Sequence, residues 1–145
     1  APGITSPGTQ SDAPVCSIDF FPTIAEVTGT PADAIPEQDG VSLVPALKGG
    51  SLERDTLYWH YPHYGNQGGA PSAAIRSGRW KLIEWFEDGS RELFDLESDP
   101  GEHTDLAQQH PEIVAKLHSQ LEGWQNSLDA NMPKMNEAFD EQAKP

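Results

Sequence analysis

The sequence has almost no cysteine, little positive charge and no long apolar run, and each shortage closes off a class of protein. Cys16 stands alone among 145 residues. No internal disulfide framework can form around it, and cysteine alone cannot build a thiolate metal site. Nine Lys and Arg face 23 Asp and Glu, for a formal net charge of -14. A field of that sign argues against nucleic acid and against a membrane surface as partners, because phosphate binding needs clustered cations. No stretch approaches the ~20 apolar residues of a membrane span. With hydrophobic residues at 36% and a mean hydropathy of -0.58, the sequence predicts a modest core under a polar surface. The opening Ala1-Pro2-Gly3-Ile4-Thr5 has no Met, basic segment or apolar run of a leader, and reads as the middle of a loop.

What the chain does contain is ordered in two blocks. Residues 1–15 are rich in Gly, Pro, Ser and Thr and read as an irregular connection. Ser17 or Asp19 can cap a helix that tolerates Pro22 in its first turn and ends at Gly29. Phe21, Ile24, Ala25 and Thr28 would share one face of it. A Pro/Asp-rich loop over 30–40 leads to a short helix, roughly Val41 to Leu47. Phe20, Phe21 and Ile24 then lack apolar partners up to residue 55, which predicts self-association of the chain.

Beyond residue 55 the pattern turns to strands. Thr56–Tyr61, Ser72–Arg76, Trp80–Trp85 and Arg91–Leu96 carry the β-branched and aromatic content of a sheet. Glu87-Asp88-Gly89-Ser90 supplies a hairpin connection between the last two. His110-Pro111 opens a long helix on which Val114, Leu117, Leu121, Trp124 and Leu128 form one apolar stripe. Residues 130–145 read as a tail in which Met132-Pro133 and Phe139 can dock on a partner. The fold class expected is α+β: a small antiparallel sheet of about four strands packed by a long C-terminal helix.

The order of motifs resembles the C-terminal portion of the sulfatases. Asp19-Phe20-Phe21-Pro22-Thr23, closed by Gly29, is similar to their Asp-x-x-Pro-Thr helix. Asp39-Gly40-Val41-Ser42-Leu43 with Pro45 and Leu47 is similar to a second segment. Thr56–Pro62 resembles the strand that opens their C-terminal subdomain. Arg76-Ser77-Gly78-Arg79-Trp80-Lys81-Leu82-Ile83 resembles a third motif, and Glu92-Leu93-Phe94-Asp95-Leu96 with Asp99-Pro100-Gly101-Glu102 and Asp105-Leu106 a fourth. The resemblance implies that residues 1–55 are the last helical segment of a missing large α/β domain of the alkaline-phosphatase type. Residues 56–129 would be the C-terminal subdomain, and 130–145 a tail. It implies an arylsulfatase-like parent that hydrolyses aryl or carbohydrate sulfate esters, exported to the periplasm or the cell exterior, with the missing N-terminal catalytic domain as this segment's partner.

The same resemblance implies a formylglycine nucleophile, made from Cys in Cys-x-(Pro/Ala)-x-Arg, and a divalent cation, usually calcium. Cys16-Ser17-Ile18-Asp19-Phe20 does not fit that signature, and the chain has neither an Asp-Asp nor an Asp-Asn pair. The segment alone is therefore expected to be inactive, with no catalytic residue, metal ligand or cofactor of its own. Substrate contacts are expected at His60, His63, Tyr64, Asn66 and Arg76, since imidazoles beside aromatics and a Gly/Asn-rich loop suit a ring bearing an anionic group. The plainer account has Trp59 and Tyr61 in packing, and histidines capping turns. Arg76, Arg79 and Lys81 form a basic cluster, with Arg79 and Lys81 on one strand face, and read either as a positive patch for a polysulfated glycan or as cations paired with Glu84, Glu92 and other cross-strand acids. His103, His110 and His118 read as surface residues. Two other functions fit the sequence: a non-catalytic carbohydrate-binding or interaction module, and a fragment of a related phosphate- or phosphonate-ester hydrolase.

Overall fold

The computed structural model describes residues 3–5, 8–66 and 68–134. It divides the chain into two compact units, Ala1–Leu57 and Tyr58–Pro145. No helix among the described residues is long and apolar enough to cross a membrane. Phe139 and the rest of the proposed tail past residue 134 lie outside the described residues.

The first unit is built around a carboxylate. A 3-10 turn at Ser17–Asp19 runs into α1 (Phe20–Val27), and α2 is the short helix Val44–Leu47. Asp19 was expected as a cap, and its role is larger. Its side chain is fully buried and accepts four donors beyond the turn's own ladder. Arg54 Nη1 donates to Oδ1 at 2.8 Å and Nη2 to Oδ2 at 2.6 Å. The backbone N–H groups of Val41 and Cys16 donate at 3.0 and 2.7 Å. Thr23 extends the hub, donating to the Asp19 carbonyl at 2.6 Å and accepting from the Leu43 N–H at 2.8 Å. The Asp-x-x-Pro-Thr motif and the Asp-Gly-Val-Ser-Leu motif are thus one constellation, with side chains of the first satisfying backbone donors of the second. Gly40 is required there, because a Cβ at its position would stand 2.2 Å from the Ile18 carbonyl oxygen.

The buried face of α1 differs from the one expected. Pro22, Thr23 and Ala25 are buried, whereas Phe20, Phe21 and Ile24 are 62%, 53% and 62% exposed. The polar hub sets the rotation of the helix: Thr23 must point inward to reach Leu43, which turns Phe21 and Ile24 outward.

The sheet consists of β1 (Thr56–Tyr61), β2 (Ser72–Ser77), β3 (Trp80–Trp85) and β4 (Arg91–Asp95), in the order β1-β2-β3-β4. The β2–β3 and β3–β4 pairs are antiparallel, with Ile75 opposite Leu82 and Leu82 opposite Leu93. Those three side chains therefore share one face. The helix α3 (Pro111–Ser127) covers it with Leu117 and Leu121, and Ala73 completes the buried cluster. Tyr58 stacks on Trp124 of α3, with ring centroids 4.8 Å apart. Leu128 does not join the stripe. The helix ends at Ser127, and Leu128, its C-cap, is exposed.

Arg79 finds a cross-strand acid as expected, whereas Lys81 pairs with an acid outside the strands. Arg79 sits in the turn before β3 and pairs with Asp95 and Glu97. Lys81 pairs with Glu102, both carboxylate oxygens lying 2.7 Å from its Nζ. Register is the reason. Glu84 stands opposite Arg91 and Glu92 opposite Ile83, so neither acid faces Lys81. The third and fourth family motifs are thereby cross-linked by Arg79–Asp95 and Lys81–Glu102.

Candidate functional site

The run from His60 to Gly69 leaves the end of β1 and passes the β3–β4 hairpin. In β1, Tyr58 and His60 point to the α3 side, while Trp59 and Tyr61 are exposed and do not serve as core. Both ring nitrogens of His60 are engaged. The Gln125 amide nitrogen lies 3.2 Å from Nδ1, and the Asn131 carbonyl oxygen lies 3.1 Å from Nε2. An amide N–H donates and a carbonyl accepts, so the ring carries its proton on Nε2. The ring also leans on Phe86, with centroids 5.5 Å apart.

His63 is exposed, its ring edge-on to Tyr61 at 5.6 Å. Tyr64 is 71% exposed and donates its phenol to Glu87 Oε1 at 2.7 Å. That bond to a carboxylate holds the phenol above its usual titration range. The loop closes on itself through Gly65 N–H to the Gly69 carbonyl at 2.7 Å, and Gly68 N–H to the Gly65 carbonyl at 3.1 Å. Gly68 has φ +91, a backbone region open to glycine. Asn66 is exposed on this loop.

His60, His63, Tyr64 and Asn66 are thus gathered at one end of the sheet, and Arg76 is not. Arg76 lies four residues along β2 from its start at Ser72, about 13 Å at the rise of a strand. Its side chain reaches the Gly78 carbonyl at 3.5 Å, beside the β2–β3 turn. The structure adds Phe86, Glu87, Gln125 and Asn131 to the site. Only the last two came from a segment with no visible motif. Phe86 and Glu87 flank the hairpin turn, so their proximity follows from the β3–β4 pairing once the loop is folded beside it.

His118 is not a plain surface residue. Its Nε2 lies 2.9 Å from Glu84 Oε1 and its side chain is 16% exposed. Cys16 is half-buried and caps the 3-10 turn: its N–H donates to Asp19 Oδ2 and its carbonyl accepts from the Asp19 N–H at 3.0 Å. Among the described residues, no three His, Cys, Asp or Glu side chains gather as a metal site. The candidate site brings together two imidazoles, a phenol and a side-chain amide, of which those of His63, Tyr64 and Asn66 are exposed.

Four antiparallel strands with one covering helix and ordered motifs define a small α+β domain. The sequence profile of the N-sulphoglucosamine sulphohydrolase C-terminal family matches residues 1–127, and the chain belongs to that family. A sulfatase from Formosa agariphila is 32% identical over 139 residues, covering 85% of this chain and 25% of that protein. A solved structure in complex with its substrate, D-glucosamine-2-N,6-O-disulfate, superposes with a TM-score of 0.62 at 27% identity, over 82% of this chain and 25% of that one. The phosphonate monoester hydrolase of Agrobacterium radiobacter superposes with a TM-score of 0.55 at 28% identity, over 75% of this chain and 24% of that one. The chain thus spans about a quarter of the length of the relatives it matches.

Proposed function

We propose that this chain is the C-terminal part of an enzyme that hydrolyses sulfate esters, and that it supplies scaffold and a leaving-group contact there. The family match over residues 1–127 carries the reading, and the sulfatase of Formosa agariphila supports the reaction class. The formylglycine and the divalent cation belong to a catalytic domain that is this segment's partner, with residues 1–55 as its closing stretch. The segment on its own is inactive. The substrate is a sulfated glycan or small molecule, for which the disulfated glucosamine bound by a structural neighbour is a chemical guide.

Within the segment, His63, Tyr64 and Asn66 make the contact. They are exposed, they stand on a closed loop, and Glu87 braces Tyr64. A cationic imidazole near an anionic group and an aromatic ring near a pyranose are complementary pairs. His60 supports this edge, since both of its nitrogens are held by protein groups. Arg76 stands too far along β2 to share that contact.

The test is His63→Ala in the intact enzyme, assayed on sulfated glucosamine and on a small aryl sulfate. We expect kcat/KM to fall about tenfold or more on the sugar, the size of one good polar contact, with the aryl sulfate little affected. Unchanged constants on both would remove His63 from the substrate. A second reading follows from the phosphonate hydrolase among the neighbours. Turnover of a phosphonate monoester in preference to every sulfate ester would establish it.

A further inference from the structure

We propose that His118 is a proton-operated clamp, which exchanges the partner of Glu84 and so ties α3 to the turn end of the β3–β4 hairpin when its ring is protonated. The inference rests on counting donors and acceptors at one atom. His118 Nε2 lies 2.8 Å from Arg91 Nη2 and 2.9 Å from Glu84 Oε1. A guanidinium can only donate and a carboxylate can only accept. One ring nitrogen cannot accept from the first and donate to the second at once. The two contacts are alternatives.

Each alternative belongs to a different charge state. In the neutral ring with its proton on Nδ1, Nε2 accepts from Arg91. Nδ1–H then faces Glu122, whose Oε2 is 3.4 Å away on the next turn of α3. Glu84 stays with Arg91, whose Nε and Nη2 lie 3.3 and 3.1 Å from Oε1. In the protonated ring both nitrogens donate, one to Glu84 and the other to Glu122, and the guanidinium must leave Nε2. The remaining tautomer, neutral with its proton on Nε2, sets a lone pair against Glu122 and an N–H against Arg91.

Burial decides which group moves. The His118 and Glu84 side chains are 16% and 12% exposed, against 36% for Arg91, so the arginine can turn to water at least cost. Charged groups reach the ring from three elements: Glu84 on β3, Arg91 on β4 and Glu122 on α3. Protonation therefore moves Glu84 from a bond within the hairpin, where it stands opposite Arg91, to a bond between sheet and helix. Imidazole is the side chain whose charge changes near neutral pH. The hairpin that the clamp grips beside its turn carries Phe86 and Glu87 on that turn, against His60 and Tyr64. That link to substrate rests on the function proposed above, whereas the clamp itself does not.

Nitrogen-15 NMR of the labelled chain tests it without substrate, so its failure is separate from failure of the subsite. While neutral, the His118 ring should carry its one proton on Nδ1. Once acid has protonated both nitrogens, the Arg91 Nε–H should lose exchange protection relative to Arg76, which is half-buried and takes no part in the clamp. A proton on Nε2 of the neutral ring, or Arg91 protection that stays constant relative to Arg76, would overturn the clamp. In Glu84→Gln the protonated ring has no carboxylate to grip, so the His118 Nε2–H should exchange faster than in the unaltered chain at the same low pH. Equal Nε2–H protection in the two chains would also overturn it. Leu117 and Leu121 methyl signals report whether the variant is folded, and the two wild-type readouts decide the matter if it is not.

Discussion

The first unit is organised by one buried carboxylate and leaves Phe20, Phe21 and Ile24 exposed, whereas the second is organised by a cluster of six buried apolar side chains with the buried acids Glu84 and Asp95 beside it. Asp19 satisfies Arg54 and two backbone donors at the centre of the first unit. Ala73, Ile75, Leu82, Leu93, Leu117 and Leu121 do the equivalent work in the second. The difference teaches that the two stretches solve different problems. A polar hub specifies one geometry sharply, because each donor has a single acceptor. It removes little apolar area from water. An apolar cluster contributes in proportion to the area it buries and tolerates small adjustments.

The comparison breaks most visibly at Asp19. Replacing it with Ala leaves the Arg54 guanidinium and two backbone N–H groups without their acceptor, and losing one partner of a buried pair costs about 3–5 kcal/mol. Hydrogen exchange should show protection lost across α1 and at Val41, with the strands of the second unit unchanged. Equal loss in both units would mean that the hub is not a local organiser. Leu82→Ala is the converse. It removes a fully buried side chain at the centre of the sheet, at a cost of about 2–5 kcal/mol. Its effect should appear in β2, β3, β4 and α3 and spare the Asp19 hub.

Acid sharpens the contrast. The Arg54 guanidinium, with the Cys16 and Val41 amides, holds the Asp19 carboxyl at about 2, below its ordinary 3.8, and against the opposing effect of burial. A carboxylate lowered in the folded state stabilises above its unfolded value and loses that contribution as pH falls through the folded one. The first unit should therefore hold steady above about pH 4 and weaken between there and about pH 2. An Asp19→Asn chain should show no such step. The second unit carries a lowered carboxyl of its own, because Arg79 holds the buried Asp95 well below the usual carboxylate range, so it too should weaken as pH falls. Pulse proteolysis at stepped pH of the Asp19→Asn chain separates the two, since only the first unit's step should vanish.

Most of the second unit was legible from sequence, and less of the first. Alternation and the Gly89 turn located the strands, and the stripe through Leu117 and Leu121 placed the long helix, because apolar periodicity states directly which face is buried. The same rule misplaced α1. Its apolar residues are not its buried ones, because Thr23 and Asp19 set the rotation through hydrogen bonds that no periodicity encodes. One ion pair, unlike the cross-strand Arg79–Asp95 pair, lies outside the strand pattern for a similar reason. The pairing of Lys81 with Glu102 depends on the Asp99–Glu102 turn, where Glu102 adopts φ +56, a geometry invisible in a strand pattern. At the candidate site the loop was legible as composition. The bracing of Tyr64 by Glu87 and of His60 by Gln125 and Asn131 required the fold.

The exposed residues of α1 offer the next test of the two-region contrast. Phe20, Phe21, Ile24 and Val27 leave an apolar ridge open on the first unit, and such a ridge associates when nothing covers it. The chain should therefore exceed 15.8 kDa in light scattering as concentration rises. Phe20→Ser with Ile24→Ser should return it toward a monomer while the sheet remains folded. A monomer at every concentration would show that the ridge is inert.

Glu87→Gln should have the smallest effect, and it separates bracing from folding. Tyr64 and Glu87 are both exposed, so their bond is solvated and salt-screened and contributes little to the fold. Thermal unfolding should be unchanged. The phenol is a different matter: Glu87 raises it because a nearby carboxylate disfavours a second negative charge and accepts the phenol's proton. With Gln in place the charge is gone, and Tyr64 should titrate closer to its ordinary 10.0. An ultraviolet titration reads this directly against Tyr58 and Tyr61. If the Tyr64 titration does not move while Tm stays constant, the loop is not held against the hairpin in solution. The edge of the second unit would then be as loosely ordered as its surface is polar, and the contrast between a hub-organised first unit and a core-organised second would stop at the sheet.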